Sequence, residues 1–74
     1  MLAYYSITSF VTLYIEEIFH DDCYDYVRFF ISDNTTGERS NRRKAKVRYS
    51  EKGSPYFFHN RKRVYLDECM RISK

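Results

Sequence analysis

Apolar and polar residues alternate with a period of two along most of this chain, which is the pattern of β-strands that rest one face on a core. The first example runs from Tyr5 to Ile15 and consists largely of β-branched and aromatic residues. The same stretch also permits helical spacing, through residues such as Ile7, Phe10 and Tyr14. Because β-branched and aromatic residues favour strands, the pattern predicts a first strand over residues 5–15.

A second strand is predicted over residues 24–32, after an acidic turn at residues 20–22. Within it, Val27, Phe29 and Ile31 occupy alternate positions and would share one face. The opposite face would carry the intervening tyrosine, arginine and phenylalanine. We therefore expect the second strand to present its aliphatic face to a core and its other face to solvent or to a partner.

A third strand is predicted over residues 43–50, after a polar loop at residues 33–41 that is rich in turn-forming Asn, Asp and Gly. Lys44, Lys46 and Arg48 alternate with less polar residues and would share one side of this strand. Cations on an outer strand discourage edge-to-edge aggregation, so this arrangement also has a purely structural explanation.

The next segment, residues 56–66, predicts a hairpin with a two-residue turn at Asn60 and Arg61. The resulting register pairs Phe57 with Val64. It places Phe57, Val64 and Leu66 on one face, and Tyr56, Phe58, Arg63 and Tyr65 on the other.

These elements predict a mainly β fold, or an α+β one, in a single domain over residues 1–74. Strands joined by short turns favour an antiparallel meander or open barrel of about five strands. Asp67 would cap a short helical turn over residues 67–72. The predicted core contains Val11, Leu13, Val27, Phe29, Ile31, Val47, Phe57, Val64 and Leu66.

Charge is divided between the two halves of the chain. Residues 1–37 carry a net charge of −5, whereas residues 38–74 carry +8, and the whole chain carries +3. Such asymmetry favours a polyanionic partner or a protein with complementary patches. Alternatively, the two halves pair within the fold and largely neutralise each other.

The strongest candidate site is a face that combines cations with aromatic rings. Sheet domains that bind single-stranded nucleic acid use cations to neutralise phosphates and flat rings to stack on bases. The alternative is that the rings form a second small core beneath a loop. No zinc-finger, helix-turn-helix or RNP-type motif accompanies this face. Its residues are Lys44, Lys46, Arg48, Tyr56, Phe58, Arg61, Lys62, Arg63 and Tyr65.

A second candidate is an acidic patch around the first predicted turn. The adjacent His20 and Cys23 do not have the paired short spacings of a structural zinc site, and no EF-hand pattern is present, so we predict no metal. The patch is better explained as a contact for a basic partner, or as the internal counterweight to the basic half. It consists of Glu16, Glu17, Asp21, Asp22 and Asp25.

Catalysis is not supported by any motif, and the chain is predicted to be a non-enzyme without a cofactor. Cys23 and Cys69 have no recognisable nucleophile context, and the only two glycines lie in predicted turns rather than in a phosphate-binding loop. Both cysteines are expected to be reduced and unbridged, and Cys69 to pack as a small hydrophobic residue.

The amino-terminal stretch does not resemble a membrane anchor or a secretory signal. Residues 1–15 are uncharged but shorter than the roughly 20 residues that span a bilayer, and Glu16 and Glu17 follow directly. The stretch has no basic amino-terminal region and no small-residue cleavage site. We therefore expect a cytoplasmic protein that does not contact the membrane.

The carboxy-terminal half supports one resemblance. Residues 43–72 contain a basic strand, a Lys-Gly turn, the run from Tyr56 to Phe58, a basic turn and the run from Arg63 to Glu68. This succession resembles the short accessory proteins of bacteriophages and other mobile elements. The resemblance implies a small protein that acts stoichiometrically on a host or phage macromolecule, as counter-defence inhibitors and regulators do.

Three functional hypotheses follow. The first is a non-enzymatic binding module that acts on a host protein or nucleoprotein as an inhibitor, a counter-defence factor or a regulator. The second is a protein that binds nucleic acid directly through its basic and aromatic sheet face. The third is a structural or assembly protein that is held to its neighbours by tyrosine-rich surfaces.

Overall fold

The computed structural model describes residues 1–72 and contains eight β-strands and one 3₁₀ turn. No helix among these residues has the length and apolar character to cross a bilayer. The strands are β1 (Ala3–Ser6), β2 (Val11–Asp21), β3 (Tyr24–Asp33), β4 (Arg43–Lys46), β5 (Arg48–Tyr49), β6 (Pro55–His59), β7 (Lys62–Tyr65) and β8 (Met70–Arg71), and the 3₁₀ turn spans Leu66–Glu68.

The strands form two antiparallel sheets, which the chain links at two points. The large sheet has the order β4-β3-β2-β1-β8, and the small sheet has the order β5-β6-β7. The chain passes from the large sheet to the small one at Val47, and it returns through the 3₁₀ turn to pair β8 with β1. The mainly β meander that the sequence predicts is thus confirmed, with eight strands in place of about five.

The predicted first strand is wrong in its extent, because residues 5–15 include a reversal. β1 ends at Ser6 and β2 begins at Val11, and the two pair as a hairpin. The amides of Ile7 and Thr8 both donate to the carbonyl of Val11, at 3.0 and 3.2 Å. This turn lacks Gly, Pro, Asn and Asp, and its only local signal is the weak one of Thr8 and Ser9; the hydroxyl of Thr8 accepts a hydrogen bond from the amide of Phe10 at 3.1 Å.

β2 runs six residues further than predicted and contains a β-bulge. The ladder pairs Ile15 with Phe29 and then Glu17 with Arg28, which leaves Glu16 as an extra residue. The turn that follows lies at Asp22 and Cys23, rather than at residues 20–22, and Asp22 adopts a positive φ of 55°. The bulge shifts the inward-facing positions of β2 from odd to even numbers.

The predicted third strand is divided between the two sheets. β4 pairs with β3, whereas β5 pairs with β6. Between them, Val47 is buried, and its amide donates to the carbonyl of Asp25 at 2.8 Å. Because Val47 points into the core where the chain passes from one sheet to the other, the alternation of apolar and polar residues continues across the change of sheet and does not reveal it.

The predicted hairpin of β6 and β7 is confirmed in register. Tyr56 pairs with Tyr65, Phe57 with Val64 and Phe58 with Arg63. The predicted capping role of Asp67 is wrong, because Asp67 lies inside the 3₁₀ turn and no side chain caps that turn. The turn is too short for a helix, and the chain returns at once to extended structure in β8.

The core lies between the two sheets. Six of the nine predicted core residues are buried in it, and Ile31 and Leu66 pack against it partly exposed. Val11 is not part of this cluster, because it sits at the beginning of β2, where the sheet ends. The buried cluster consists of Ala3, Leu13, Ile15, Val27, Phe29, Val47, Phe57, Val64 and Cys69.

Candidate functional site

The outer face of the small sheet gathers most of the predicted aromatic and basic residues. The register places Arg48 beside Tyr56, Tyr56 beside Tyr65, and Phe58 beside Arg63, so all five side chains lie on one side of the sheet. Phe57 and Val64 alternate with them and face the core. We call these five residues, Arg48, Tyr56, Phe58, Arg63 and Tyr65, the small-sheet face.

Tyr56 is the centre of the small-sheet face. Its ring lies 5.5 Å from that of Phe58 in an edge-to-face arrangement and 5.4 Å from that of Tyr65. The guanidinium of Arg63 stacks 4.5 Å above the ring of Tyr56 and donates to the hydroxyl of Tyr65 at 3.2 Å. The guanidinium of Arg48 lies 5.7 Å from the ring of Phe58. These contacts orient both arginines over the rings.

The rings differ in solvent exposure, which distinguishes the ring that supports the face from the ring that a ligand can contact. Tyr56 is only 7% exposed, so it acts as the base on which its neighbours pack. Phe58 is 45% exposed, and Tyr49 at the neighbouring edge is 59% exposed. An open groove of about 520 Å³ runs beside the face and is lined by residues that include Tyr49, Tyr56, Arg63 and Tyr65.

The small-sheet face is positively charged, since it carries two arginines and no acidic residue. β5, β6 and β7 contain no acidic residue. None of the three ion pairs found among residues 1–72 involves a cation of this face. The hydrogen bond to Tyr65 raises the pKa of Arg63, with a smaller contribution from Glu51 in the adjoining loop. Neither Arg48 nor Arg63 forms an ion pair in the described part of the chain, so both are available to an anion.

The other four predicted basic residues do not belong to this face. Lys44 and Lys46 lie on β4 in the large sheet, on its outer side. Arg61 occupies the β6–β7 turn, and Lys62 pairs with His59 on the inward side of its strand. The three cations predicted to share one strand are therefore divided, because the chain changes sheets between Lys46 and Arg48.

The outer side of the large sheet is a second cation and aromatic surface, which the sequence reasoning missed. Along β1, β2 and β3, Tyr4, Tyr14 and Phe30 form a row in which Tyr14 lies 6.3 Å from Tyr4 and 5.3 Å from Phe30. Phe19 and Tyr26 stack at 5.8 Å further along the hairpin. We call the full set the large-sheet face: Tyr4, Tyr14, Phe19, Tyr24, Tyr26, Arg28, Phe30, Arg39, Lys44 and Lys46.

The predicted acidic patch is dispersed by the fold. Glu16 pairs with Arg42 at 2.6 Å, and Glu17 pairs with Arg28. Asp25 accepts a hydrogen bond from the hydroxyl of Tyr49 at 3.1 Å and pairs with the ring of His20 at 2.8 Å. The remaining two residues of the patch, Asp21 and Asp22, are exposed at the β2–β3 turn.

These contacts show how far the two halves of the chain neutralise each other. Of the three ion pairs among residues 1–72, only Glu16–Arg42 joins an acid of the first half to a cation of the second. The hydrogen bond between His20 and Asp25 raises the pKa of His20 and lowers that of Asp25. Most cations of the basic half are therefore not paired with a carboxylate in the described part of the chain.

A groove of about 570 Å³ lies at one end of the core and contains the second histidine. His59 contacts the core through an edge-to-face arrangement with Phe29, with ring centres 5.8 Å apart. Burial lowers the pKa of His59, and the nearby Arg43 lowers it further. No cluster of three or more potential metal ligands occurs among residues 1–72.

The two cysteines occupy different environments. Cys23 is exposed at the β2–β3 turn, and Cys69 is buried in the core, where its thiol lies 3.5 Å from the carbonyl of Tyr65. Burial raises the pKa of Cys69 to about 11. The expected packing of Cys69 as a small hydrophobic residue is confirmed.

Comparison with known proteins assigns no relationship to this arrangement of two cation and aromatic faces. No family model matches the chain, and neither a curated protein nor a solved structure resembles it at a significant level.

Proposed function

We propose that this protein is a non-enzymatic binding module that engages single-stranded nucleic acid through its small-sheet face. The observation that carries the proposal is the pairing of an exposed ring, Phe58, with two arginines that form no ion pair in the described part of the chain, on strands that contain no acidic residue. A single strand offers phosphates and unstacked bases at the same time, and this face has a partner for each.

Each side chain has a defined role in this proposal. Arg48 and Arg63 neutralise phosphates, and their contacts with Phe58 and Tyr56 hold the guanidinium groups in place before the ligand arrives. Phe58 stacks on a base, a contact worth roughly 1–3 kcal/mol in proteins that bind single-stranded nucleic acid. Tyr56 is buried and supports the surface without touching the ligand.

In a cell, such contact places the protein on a nucleoprotein. The resemblance of residues 43–72 to phage accessory proteins suggests a stoichiometric inhibitor, counter-defence factor or regulator. We propose that the protein acts by attaching to the nucleic acid of a host nucleoprotein. This role needs no catalytic group and no cofactor.

Fluorescence anisotropy with labelled oligo-dT and oligo-U tests the proposal. We expect the double variant R48A/R63A to bind more weakly than the wild type, and the slope of log affinity against log salt to flatten by about 0.7 for each phosphate that the variant no longer neutralises. The matched control, R43A/R71A, removes two exposed arginines that lie outside both faces and should bind almost as the wild type does. Equally weakened binding in the two variants would contradict a specific role for the small-sheet face.

A protein partner is the second candidate, and the exposure of Phe58 and Tyr49 favours it. Buried aromatic residues carry much of the energy of protein interfaces, whereas cations at the rim mainly tune association rates. A protein partner would remain bound after nuclease treatment, and Phe58→Ala would then cost more affinity than R48A/R63A. Both results together would replace nucleic acid with protein as the ligand.

A further inference from the structure

The large-sheet face repeats the chemistry of the small-sheet face in a different part of the molecule. The two sheets pack through their inner sides, where Phe29 and Phe57 lie 5.2 Å apart across the core. The outer sides of the sheets are therefore directed away from each other. A ligand on one face does not occupy the other.

Cations on the large-sheet face are held over rings, as on the small sheet. The ammonium group of Lys46 lies 3.5 Å from the ring centre of Tyr24, and that of Lys44 lies 4.5 Å from the ring centre of Tyr26. The guanidinium of Arg39 lies 5.1 Å from the ring centre of Phe30. Tyr24 is 48% exposed, whereas Phe30 is only 4% exposed and supports Arg39 from beneath. Cations beside exposed rings are the combination that proteins use to bind single-stranded nucleic acid.

The charge of this face remains positive after its acids are considered. Glu17 and Asp21 share the outer side of β2, where Glu17 is paired with Arg28 and Asp21 lies opposite Tyr24, the ring over which Lys46 is held. These two acids stand against four cations of the face, Arg28, Arg39, Lys44 and Lys46. Lys44, Lys46 and Arg39 are not paired with a carboxylate in the described part of the chain. β4 is also the edge strand of the large sheet, so both lysines can be reached from outside.

We infer that one molecule of this protein binds two single strands at once, one on each face, and so bridges them. The inference rests on the proposed function, since it assigns the same class of ligand to a second surface. It adds a consequence that one face alone does not have, namely that separate strands or distant parts of one strand are brought together.

Native mass spectrometry with a short oligo-dT of about 8 nucleotides, within the range that small sheet domains cover, tests this inference. We expect one wild-type molecule to carry two oligonucleotides, and both K44A/K46A and R48A/R63A to carry one. A second measurement records bridging directly: beads that carry biotinylated oligo-dT should retain a fluorescent oligo-dT when the wild-type protein is present, and should not retain it without protein or with K44A/K46A or R48A/R63A. R43A/R71A should retain it as well, because both faces are intact.

The outcomes separate the inference from the proposed function. A wild-type complex of one protein with one oligonucleotide, or a second oligonucleotide that K44A/K46A does not remove, would overturn the inference and leave the small-sheet face in place. Bridging by complexes of two proteins with two oligonucleotides would overturn it as well. Failure of the wild-type protein to bind any oligonucleotide would overturn both.

Discussion

Phe57 and Phe58 are adjacent in the chain but lie in opposite environments. Phe57 is fully buried and packs 5.2 Å from the ring of Phe29, whereas Phe58 is 45% exposed on the small-sheet face. We expect Phe57→Ala to reduce the free energy of unfolding by about 3–5 kcal/mol, a large share of the stability of a small domain. Phe58→Ala should change it by no more than about 0.5 kcal/mol. Urea unfolding of both variants measures the difference.

The contrast between Phe57 and Phe58 also provides a stability control for the binding experiments. Because Phe58→Ala is expected to fold as the wild type does, weaker binding by that variant reports on contact with the ligand rather than on unfolding. A comparable decrease in stability in both variants would contradict the burial of Phe57 and the exposure of Phe58.

The two thiols should differ sharply in reactivity. Alkylation requires the thiolate, and a pKa of about 11 leaves Cys69 almost entirely protonated at neutral pH, while burial also blocks access. We expect iodoacetamide to add one label, on Cys23, to the folded protein and two labels to the unfolded protein without reductant. Intact mass distinguishes these outcomes, and no label on the unfolded chain would show that the cysteines are bridged.

Among the elements, the β6–β7 hairpin depends on an unfavourable turn. Asn60 and Arg61 both adopt positive φ, at 49° and 65°. Asn adopts this conformation at little cost, whereas Arg adopts it only with backbone strain. Gly is the preferred second residue of such a turn. Relief of the left-handed strain at Arg61, about 1–2 kcal/mol, exceeds the entropic cost of glycine, about 0.5–1 kcal/mol. We therefore expect Arg61→Gly to stabilise the protein by roughly 0.5–1 kcal/mol, measured by urea unfolding.

A glycine in the β5–β6 loop allows the reverse substitution, from glycine to a residue with a side chain, at a position of positive φ. Gly53 has a φ of 84°, and a Cβ atom added there would meet no other atom within 4 Å. Gly53→Ala should therefore destabilise the protein by about 1 kcal/mol through backbone strain alone. Changes of the same sign in the two variants would be inconsistent with strain as the cause.

Some of these elements were predictable from the sequence and others were not, for physical reasons. The register of β6 and β7 was predictable, because a two-residue turn fixes which residues face each other. The β1–β2 reversal was not, because Ile7 and Thr8 are typical strand residues, and the turn is stabilised mainly by backbone hydrogen bonds, with one further bond from the amide of Phe10 to the hydroxyl of Thr8. The break at Val47 depends on tertiary packing, which a local pattern does not contain.

The same distinction applies to the candidate site. The small-sheet face follows mainly from one local hairpin, so all five of its residues were predicted as site residues. The sequence did not reveal that the sheet changes just before Arg48, which separates Arg48 from Lys44 and Lys46. The large-sheet face needs the pairing of β1 with β2 and the bulge at Glu16, which changes the side to which later residues of β2 point. Only the alternation of Tyr26, Arg28 and Phe30 in β3 signalled it.

At the scale of the whole molecule, two histidines make opposite contributions to the dependence of stability on pH. The pKa of His59 is lowered in the folded state, so the unfolded chain binds more protons and stability decreases as the pH falls below about 6.5. The pKa of His20 is raised, so its contribution is present below about 6.5 and disappears as the pH rises through the folded-state value.

Thermal unfolding between about pH 8 and pH 5 measures these contributions. We expect His59→Phe, which preserves an aromatic ring beside Phe29, to lose less stability on acidification than the wild type. His20→Gln, which removes the pairing with Asp25, should lose more. If both variants followed the wild-type profile, neither histidine would be coupled to folding.

The bulge at Glu16 determines which single-residue deletion in β2 the fold can tolerate. Removing one residue from a strand normally turns every later side chain to the wrong side, but the ladder here resumes at Glu17 opposite Arg28 as though Glu16 were absent. Deletion of Glu16 would give an unbroken ladder and would remove only the attachment of Arg42. A deletion scan of β2 should therefore find folded protein when Glu16 is removed and not when Tyr14 is removed, so the strand holds one position at which shortening is tolerated.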